Sequence, residues 1–419
     1  MRYKCDNRVP GRVFSAMAAA WVAACGAWAD APETGAFENP GPVNAAHFTA
    51  PAPLQGAGYS VYPQAYNDGL MNRYQITLSS GKSYEVLGTE LLLQRIAEAA
   101  AIEDMRRVSS SESFGQALGK AGGDKLKAAG SAIMNPLKTI GSVPKGASRF
   151  FGKIGENLKG GASDYEDKAY TDLAGASQAK RQLAAKYNVD PYSTNPELQD
   201  ELNKIAWVQA GVGGAINLGL SAATGGAAGL AVTAVNANTR LYQRVRDTDP
   251  ANLRIEDRKK LLELGLSREQ TEPFLQHHAF SPMHEAVISD ALATLGRSVD
   301  AGAFLQTAVL SQAEEDAHFF QRCAQLMAMY HKTEAPIVRI LPSKLVMLCE
   351  DAQGRVFIPV HLDYAIWFPR IAQRADEIAT QLPGKQLVIW TTGEFSPRLQ
   401  QEFKARNVAF RTGVKPTVE

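Results

Sequence analysis

Histidine is concentrated in one part of the sequence, which raises the question of a metal site. Five of the seven histidines lie between residues 277 and 331: His277, His278, His284, His318 and His331. Glu315 and His318 have the spacing found in carboxylate-bridged di-iron bundles, but such bundles need that motif twice and the sequence has it once. The simplest interpretation of Glu314, Glu315 and Asp316 is a solvated patch, and the paired histidines are interpreted as polar surface. No metal site is predicted.

A second candidate is the turn Thr391-Thr392-Gly393, which follows a predicted buried strand and precedes a helix beginning at Ser396. Backbone amides in such a turn can hold an anion, and open α/β sheets bind ligands at the carboxyl ends of their strands. The glycine pattern of a dinucleotide or phosphate loop is absent, as are nucleophile elbows and zinc spacings. The nearby acids are Glu350, Asp351 and Glu394, and no histidine or cysteine is placed in the sequence to act with them. No catalytic residue is assigned, and no cofactor is predicted.

The segment around which the fold is expected to form is Ile205 to Thr239, which contains no charged residue and no histidine. Small residues recur there at every fourth position: Gly211, Ala215, Gly219, Ala223, Ala227 and Ala231. This spacing places the first four on one face of a helix. With a turn at Gly225-Gly226, the pattern predicts a hairpin of two close-packed apolar helices. The hairpin is either buried in a helical domain or inserted in a membrane. Its second arm, at about 18 Å, is short for a ~30 Å hydrocarbon core.

The N-terminus is predicted to be an export signal and not part of the fold. A basic head is followed by an apolar run to Ala24 and by Ala27-Trp28-Ala29, which indicates a signal peptide over residues 1–29. Val22-Ala23-Ala24-Cys25 supports an alternative in which Cys25 is the acylated first residue of a lipoprotein. Residues 30–71, rich in proline, glycine and alanine, are predicted to be a linker, with order beginning near Asn72.

The rest of the sequence predicts two domains. Residues 72–334 are mainly helical after a hairpin over residues 74–86, with helices expected at 90–108, from the Ser163 capping box to Tyr187, from Asn195 into the apolar stretch, at 282–295 and at 301–331. Residues 335–419 predict a small α/β domain, with strands at 345–349, 356–362, 386–390 and 408–412 and helices at 371–381 and 396–406. Strand, helix and strand in succession imply a parallel pair. The fold class is α+β: mainly α-helical, with a central apolar Gly/Ala-rich helical hairpin and a small C-terminal α/β domain.

A basic segment between Glu112 and Gly161 holds eight lysines and arginines against three acids. A short helix there would place Phe151 on one side and Lys153 on the other. The segment is interpreted either as helices wrapped over the apolar hairpin or as a surface that lies on an anionic membrane.

Composition limits the function classes. A net charge of +1 over 419 residues gives no argument for nucleic acid as a partner. Outside the signal only Cys323 and Cys349 remain, as a pair or as two separate thiols. The sequence therefore predicts an exported periplasmic or cell-envelope protein that binds an envelope protein or a membrane surface. The alternatives are an enzyme acting through the C-terminal module and a membrane-perturbing protein using residues 205–239. The oligomeric state is not predicted.

Overall fold

The computed structural model describes residues 37–120, 175–211, 240–341 and 346–416. Helices and strands both form in these ranges, and helices take the larger share, so the α+β class is confirmed. The signal peptide with Cys25, the basic segment after Lys120, the Ser163 capping box and residues 212–239 of the apolar hairpin lie outside the described residues. None of the helices within these ranges is long and apolar enough to cross a membrane.

Short strands occupy much of the region predicted to be a linker. They are β1 (Gly41–Asn44), β2 (Gln55–Gly56), β3 (Tyr59–Val61) and β4 (Gln64–Asn67), with helix α1 (Ala45–Thr49) after β1. The linker prediction for residues 30–71 is therefore wrong from Gly41 onward. Tyr59 and Val61 are buried in the same core as Ile76, and Pro63 and Gly69 lie between strands or at their ends, where they allow turns.

The predicted hairpin at residues 74–86 is present as β5 (Asn72–Leu78) and β6 (Ser83–Leu87), paired antiparallel. It joins the earlier strands in a six-stranded sheet of order β1-β4-β5-β3-β2, with β6 paired to β5. Because β3 and β4 both hydrogen-bond to β5, the short strands are stabilised by a partner outside their own segment.

Ten helices follow within the described ranges. They are α2 (Thr89–Ser109), α3 (Glu112–Lys120), α4 (Ala176–Tyr187), α5 (Pro196–Gly211), α6 (Arg240–Asp247), α7 (Pro250–Glu263), α8 (Arg268–Leu275), α9 (Pro282–Leu295), α10 (Gly302–Ala308) and α11 (Glu314–Thr333). Local caps explain several starts. The Asn195 side chain accepts the Glu197 amide at 3.1 Å, and Ser281 accepts the His284 amide at 3.3 Å.

The single helix predicted over residues 301–331 is wrong, because the chain forms α10 and α11 with a break between them. Asp316 explains the break. Its Oδ2 atom accepts the backbone N–H groups of Gln312 and Ala313 at 2.7 and 3.2 Å. These bonds satisfy amides at the start of a new helix, so the chain is capped where the apolar period alone suggested continuity.

The C-terminal part forms a second sheet. Its strands are β7 (Ile337–Leu341), β8 (Leu348–Asp351), β9 (Val356–Val360), β11 (Leu387–Thr391) and β13 (Ala409–Arg411); a separate short pair consists of β10 (Tyr364–Ala365) and β12 (Glu394–Phe395), and the helices are α12 (Pro369–Gln381) and α13 (Pro397–Ala405). The sheet order is β13-β11-β9-β8-β7. β9, β11 and β13 are parallel to one another. β8 pairs antiparallel with β9, and β7 pairs antiparallel with β8.

Different helices pack on the two faces of this sheet. Phe357 and Trp390 pack with Tyr330 of α11, and the Tyr330 and Phe357 rings stack with centroids 3.9 Å apart. On the other face, Ile358 and Ile389 belong to a separate core with α12 and α13. One apolar core therefore includes both the last helix of the helical part and the sheet after it. Cys323 and Cys349 are buried free thiols in that core.

Buried hydrogen bonds join the N-terminal sheet to the carboxyl end of β9. Asp363 Oδ2 accepts the Asn72 amide at 2.8 Å, and Asp363 Oδ1 accepts the Thr89 amide at 2.9 Å. Asn67 Nδ2 donates to the Tyr364 carbonyl at 3.0 Å. Because Thr89 is the first residue of α2, these bonds place the first turn of α2 beside the end of β9.

Candidate functional site

A cavity of about 600 Å³ lies where the carboxyl ends of β9 and β11 meet α2, α9 and α11. In open α/β sheets this is where ligands bind, and the volume is within the usual range for small-molecule sites. Residues from every part of the described chain line it. Those able to do chemistry at its centre are Glu90, His284, His318, Arg322, His361 and Thr392.

Glu90 and Arg322 form a partly buried ion pair on the wall of the cavity. Arg322 Nε donates to Glu90 Oε2 at 2.8 Å, and Arg322 Nη2 donates to Glu90 Oε1 at 2.6 Å. Burial opposes ionisation of the carboxyl group, but the guanidinium outweighs it and holds the pKa of Glu90 well below its usual range. The third nitrogen of the guanidinium, Arg322 Nη1, donates to Gln325 Oε1 at 2.8 Å. The pair is therefore a fixed, mutually neutralised element.

His318 lies beside this pair. Its Nδ1 atom is 3.6 Å from Glu90 Oε1, which is an ion-pair distance and not a hydrogen bond. Within the described ranges, neither ring nitrogen has a hydrogen-bond partner, although the residue is only 7% exposed. Burial acts to lower the pKa of His318, but the Glu90 carboxylate outweighs burial and raises the pKa above its ordinary value.

His284 and His361 differ from His318 in their protonation. The His284 ring lies 5.0 Å from the His318 ring, and burial together with His318 lowers the pKa of His284 to about 3. His361 follows β9 directly, its Nδ1 lies 2.7 Å from Thr392 Oγ1, and burial lowers its pKa to about 4. Both rings are therefore neutral near pH 7, and His318 is the histidine in this group that retains a proton most readily.

The buried acids in the lining already have partners or a raised pKa, and the remaining one, Glu394, is exposed at the end of β11. Glu98 Oε2 accepts from Arg95 Nη1 at 2.8 Å, and Asp363 accepts the two backbone amides described above. Burial raises the pKa of Asp190 to about 7. With Glu90 neutralised by Arg322, protonated His318 contributes positive charge that no described acid bonds directly. The cavity is thus suited to a group that is negatively charged and accepts hydrogen bonds.

The structure brings only part of the second sequence candidate to this cavity. Thr392, Gly393 and Glu394 line it at the end of β11. Ser396 instead accepts the Leu399 amide at 3.1 Å and caps α13. His361, which follows the neighbouring strand β9, was not placed beside this turn by the sequence analysis, and its ring bonds to Thr392.

The other two acids proposed near this turn lie elsewhere. Glu350 Oε1 accepts from Lys385 Nζ at 2.7 Å on the surface. Asp351, at the turn between β8 and β9, accepts from Tyr330 Oη and Arg355 Nε, each at 2.7 Å. This turn precedes β9, whereas the cavity lies at the carboxyl end of that strand, so neither acid contributes to the site.

The histidine-rich segment divides in the same way. His284 and His318 meet in the cavity, whereas the His277 and His278 rings stack on each other with centroids 4.7 Å apart. His331 Nδ1 accepts the amide of Ile337 at 3.0 Å, which is a structural bond at the start of β7.

The solvated-patch interpretation of residues 314–316 is wrong for two of them. Asp316 is 1% exposed because it caps α11, and Glu314 accepts hydrogen bonds from Arg95 and Thr194. The carboxylate beside His318 is Glu90 and not Glu315. In the part of the chain that the structure describes, no three histidine, cysteine, aspartate or glutamate side chains converge as metal ligands.

Gly393 allows β11 to approach the end of β9 closely. A Cβ atom at this position would lie 2.2 Å from the carbonyl oxygens of Leu362 and Asp363, which are backbone atoms with little freedom to move. We expect Gly393→Ala to lower the free energy of unfolding by roughly 1–3 kcal/mol through overpacking. Urea unfolding followed by circular dichroism measures this change.

The matched control is Gly115→Ala, because a Cβ atom at Gly115, in the middle of α3, meets no other atom within 4 Å. Alanine is a better helix former than glycine, so this variant should be neutral or more stable by up to about 1 kcal/mol. Equal stability of the two variants would show that the ends of β9 and β11 separate readily.

Comparisons of the chain with protein-family models, with curated proteins and with solved structures give no match. The geometry of the cavity, and chiefly that of His318 and its surroundings, is what indicates a function for this chain.

Proposed function

We propose that the protein binds a small molecule carrying a carboxylate or phosphate group in the cavity at the ends of β9 and β11. The observation that carries the proposal is His318, which is buried, lines the cavity, has a raised pKa and has no hydrogen-bond partner within the described ranges. Buried polar groups are normally hydrogen-bonded, and an unpaired one destabilises the folded state by roughly 1–3 kcal/mol. A bound anion would remove that cost.

The surroundings of His318 favour an anion over a cation. The nearest carboxylate, Glu90, is neutralised by two hydrogen bonds from Arg322, and burial makes the neighbouring His284 neutral. Glu314 accepts hydrogen bonds from Arg95 and Thr194. A cationic ligand beside His318 would meet the positive charges of His318 and Arg322, whereas an oxyanion accepts from His318 directly. The remaining acid of the lining, Glu394, is exposed at the end of β11.

The proposal predicts that anion binding weakens as pH rises. The raised pKa means that His318 is charged below its ordinary value of 6.5 and loses its proton as pH rises through the higher value of the folded state. We expect affinity for the best anion to fall at least tenfold between about pH 6 and about pH 9. Thermal shifts with phosphate, acetate, succinate and citrate identify that anion, and calorimetric titration at each pH measures its affinity.

Two histidine variants separate the site from general effects. His318→Gln removes the charge and should abolish both the binding and its pH dependence. His278→Gln removes an exposed histidine outside the cavity and should leave both unchanged. If no anion of the panel raises the melting temperature of the unmodified protein at about pH 6, or if His318→Gln binds as well, the proposal is wrong.

The same geometry favours a second candidate, an enzyme using general acid–base catalysis. A carboxylate 3.6 Å from a histidine whose two ring nitrogens have no hydrogen-bond partner within the described ranges is an arrangement that can transfer protons. Hydrolysis of nitrophenyl acetate and nitrophenyl phosphate tests this candidate. Turnover that is lost in His318→Gln and retained in His278→Gln would favour it over binding alone.

We infer for the whole chain an exported protein of the periplasm or cell envelope, with an apolar Gly/Ala-rich helical hairpin over residues 205–239 and a small C-terminal α/β domain. The signal pattern of residues 1–29, the entry of α5 into the uncharged stretch and the parallel strands β9, β11 and β13 support it. Cell fractionation tests it. Release by high salt indicates surface binding, a need for detergent indicates insertion or an anchor on Cys25, and a cytosolic chain contradicts export.

A further inference from the structure

A second cavity of about 370 Å³ lies between the C-terminal sheet and helix α12. It lies on the sheet face that α12 and α13 cover and reaches the first turns of α11 at one end, and its lining is mainly apolar. The residues that define it are Ile358 and Ile389 from the sheet, Ile378 and Leu382 from α12, and Leu399 and Phe403 from α13.

Its size is unusual for the interior of a protein. Native cores are close-packed and have few voids larger than a water molecule, and an apolar cavity of about 150 Å³ already takes up benzene. The helix that covers this cavity is also lightly packed. Ile371 is the buried residue of α12, while Ala375, Ile378 and Leu382 face the core only partly buried. A ligand in the cavity would complete the contacts that α12 lacks.

The cavity runs along the strands, which favours a chain over a compact ring. Its lining begins beside Lys385 and Leu387, at the amino end of β11, and continues to Val360 and Leu362 at the carboxyl end of β9. A strand of five residues, such as β9 or β11, covers about 16 Å at 3.3 Å per residue.

The charged lining residues differ between the two ends. Lys385 and Arg406 are exposed at the amino ends of β11 and β13, where Lys385 pairs with Glu350, and Arg406 pairs with Glu402 and with Asp376 of the lining. Glu315 and Asp316 lie at the other end, beside the start of α11. An anionic head group at the first end would compete with those surface acids for two cations, whereas at the other end it would meet only carboxylates.

We propose that this cavity binds the alkyl chain of a single-chain amphiphile, with its anionic head at Lys385 and Arg406. The proposal does not rest on the anion site at His318, because neither His318 nor Arg322 lines this cavity, although His361 and Leu362 line both cavities. Each methylene transferred from water into the cavity should raise affinity by about threefold to fourfold.

Titration with octanoate, decanoate and dodecanoate tests the proposal, with displacement of a fluorescent apolar probe as the readout. Affinity should rise with chain length. Ala375→Trp fills the cavity from α12 and should weaken dodecanoate binding at least tenfold, whereas Thr380→Trp, on the exposed side of the same helix, should not. Where the tryptophan variant does not fold, Ala375→Leu should give a smaller loss in the same direction.

Binding that is independent of chain length, or equal in Ala375→Trp and Thr380→Trp, overturns the proposal. Dodecyltrimethylammonium, which carries the same chain and the opposite charge, tests the orientation. Tighter binding of dodecanoate supports a head group at Lys385 and Arg406, and equal or weaker binding contradicts it.

Discussion

Arg322→Met is expected to lower the free energy of unfolding by about 1.5–3 kcal/mol, because it leaves the partly buried Glu90 carboxylate without its cation. Arg322 donates to both oxygens of Glu90, and the two side chains are only 15% and 26% exposed, so water solvates the remaining charge incompletely. Equilibrium unfolding in urea near pH 7, followed by circular dichroism, measures the change. The double variant Glu90→Gln/Arg322→Met should regain part of the loss, since both charges are then absent.

An exposed pair supplies the control. Lys259 Nζ lies 3.9 Å from Glu263 Oε1 on α7, with the two side chains 77% and 65% exposed, so Lys259→Met should cost no more than about 1 kcal/mol. Similar losses in the two methionine variants would mean that Glu90 is as well solvated as a surface acid.

The pH dependence of the Glu90–Arg322 pair has a definite sign. Because the pKa of Glu90 is lowered in the folded state, its stabilisation is present above the ordinary glutamate pKa and is lost as pH falls through the folded value. The stability difference between the unmodified protein and the double variant should therefore shrink in acid.

Phe357→Ala is expected to cost about 3–5 kcal/mol, because Phe357 is fully buried and its removal leaves a cavity between Tyr330 and Trp390. Phe37→Ala, at a position 40% exposed, should cost much less. Unfolding in guanidinium chloride, followed by tryptophan fluorescence and by far-ultraviolet circular dichroism, compares the variants.

The same experiment tests whether the domain boundary predicted between residues 334 and 335 separates two independently unfolding units. Phe357 belongs to a core that includes α9, α10 and α11, so we expect the fluorescence and circular dichroism transitions to coincide. Two separate transitions, with only one displaced by Phe357→Ala, would show that the C-terminal sheet unfolds on its own.

Local signals in the sequence predicted many elements well. The predicted helix at 282–295 has the observed bounds because Ser281 caps it and Pro282 occupies its first position. The residues between β1 and β4 were misjudged because strands of two to four residues are too short to show a period. These strands are formed by pairing with β5, and that pairing is not visible in their own composition.

The candidate site was predictable only in part. The turn at Thr391–Gly393 has a local pattern, and His361 was accessible to the same reasoning, because the carboxyl ends of parallel neighbouring strands meet at one edge. Glu90 and Arg322 were not accessible, since 232 residues separate them and each resembles an ordinary charged residue of an amphipathic helix. Their contact is a product of the tertiary fold.

The contact between Glu38 and the C-terminal sheet has a consequence for biogenesis. Glu38 exchanges backbone and side-chain hydrogen bonds with Trp367 and also accepts from Ser396 Oγ, more than 300 residues later in the chain. Ribosomes make Glu38 early and its partners near the end of translation. A growing polypeptide therefore cannot form these hydrogen bonds, and the native state is reached only after nearly all of the chain has been synthesised.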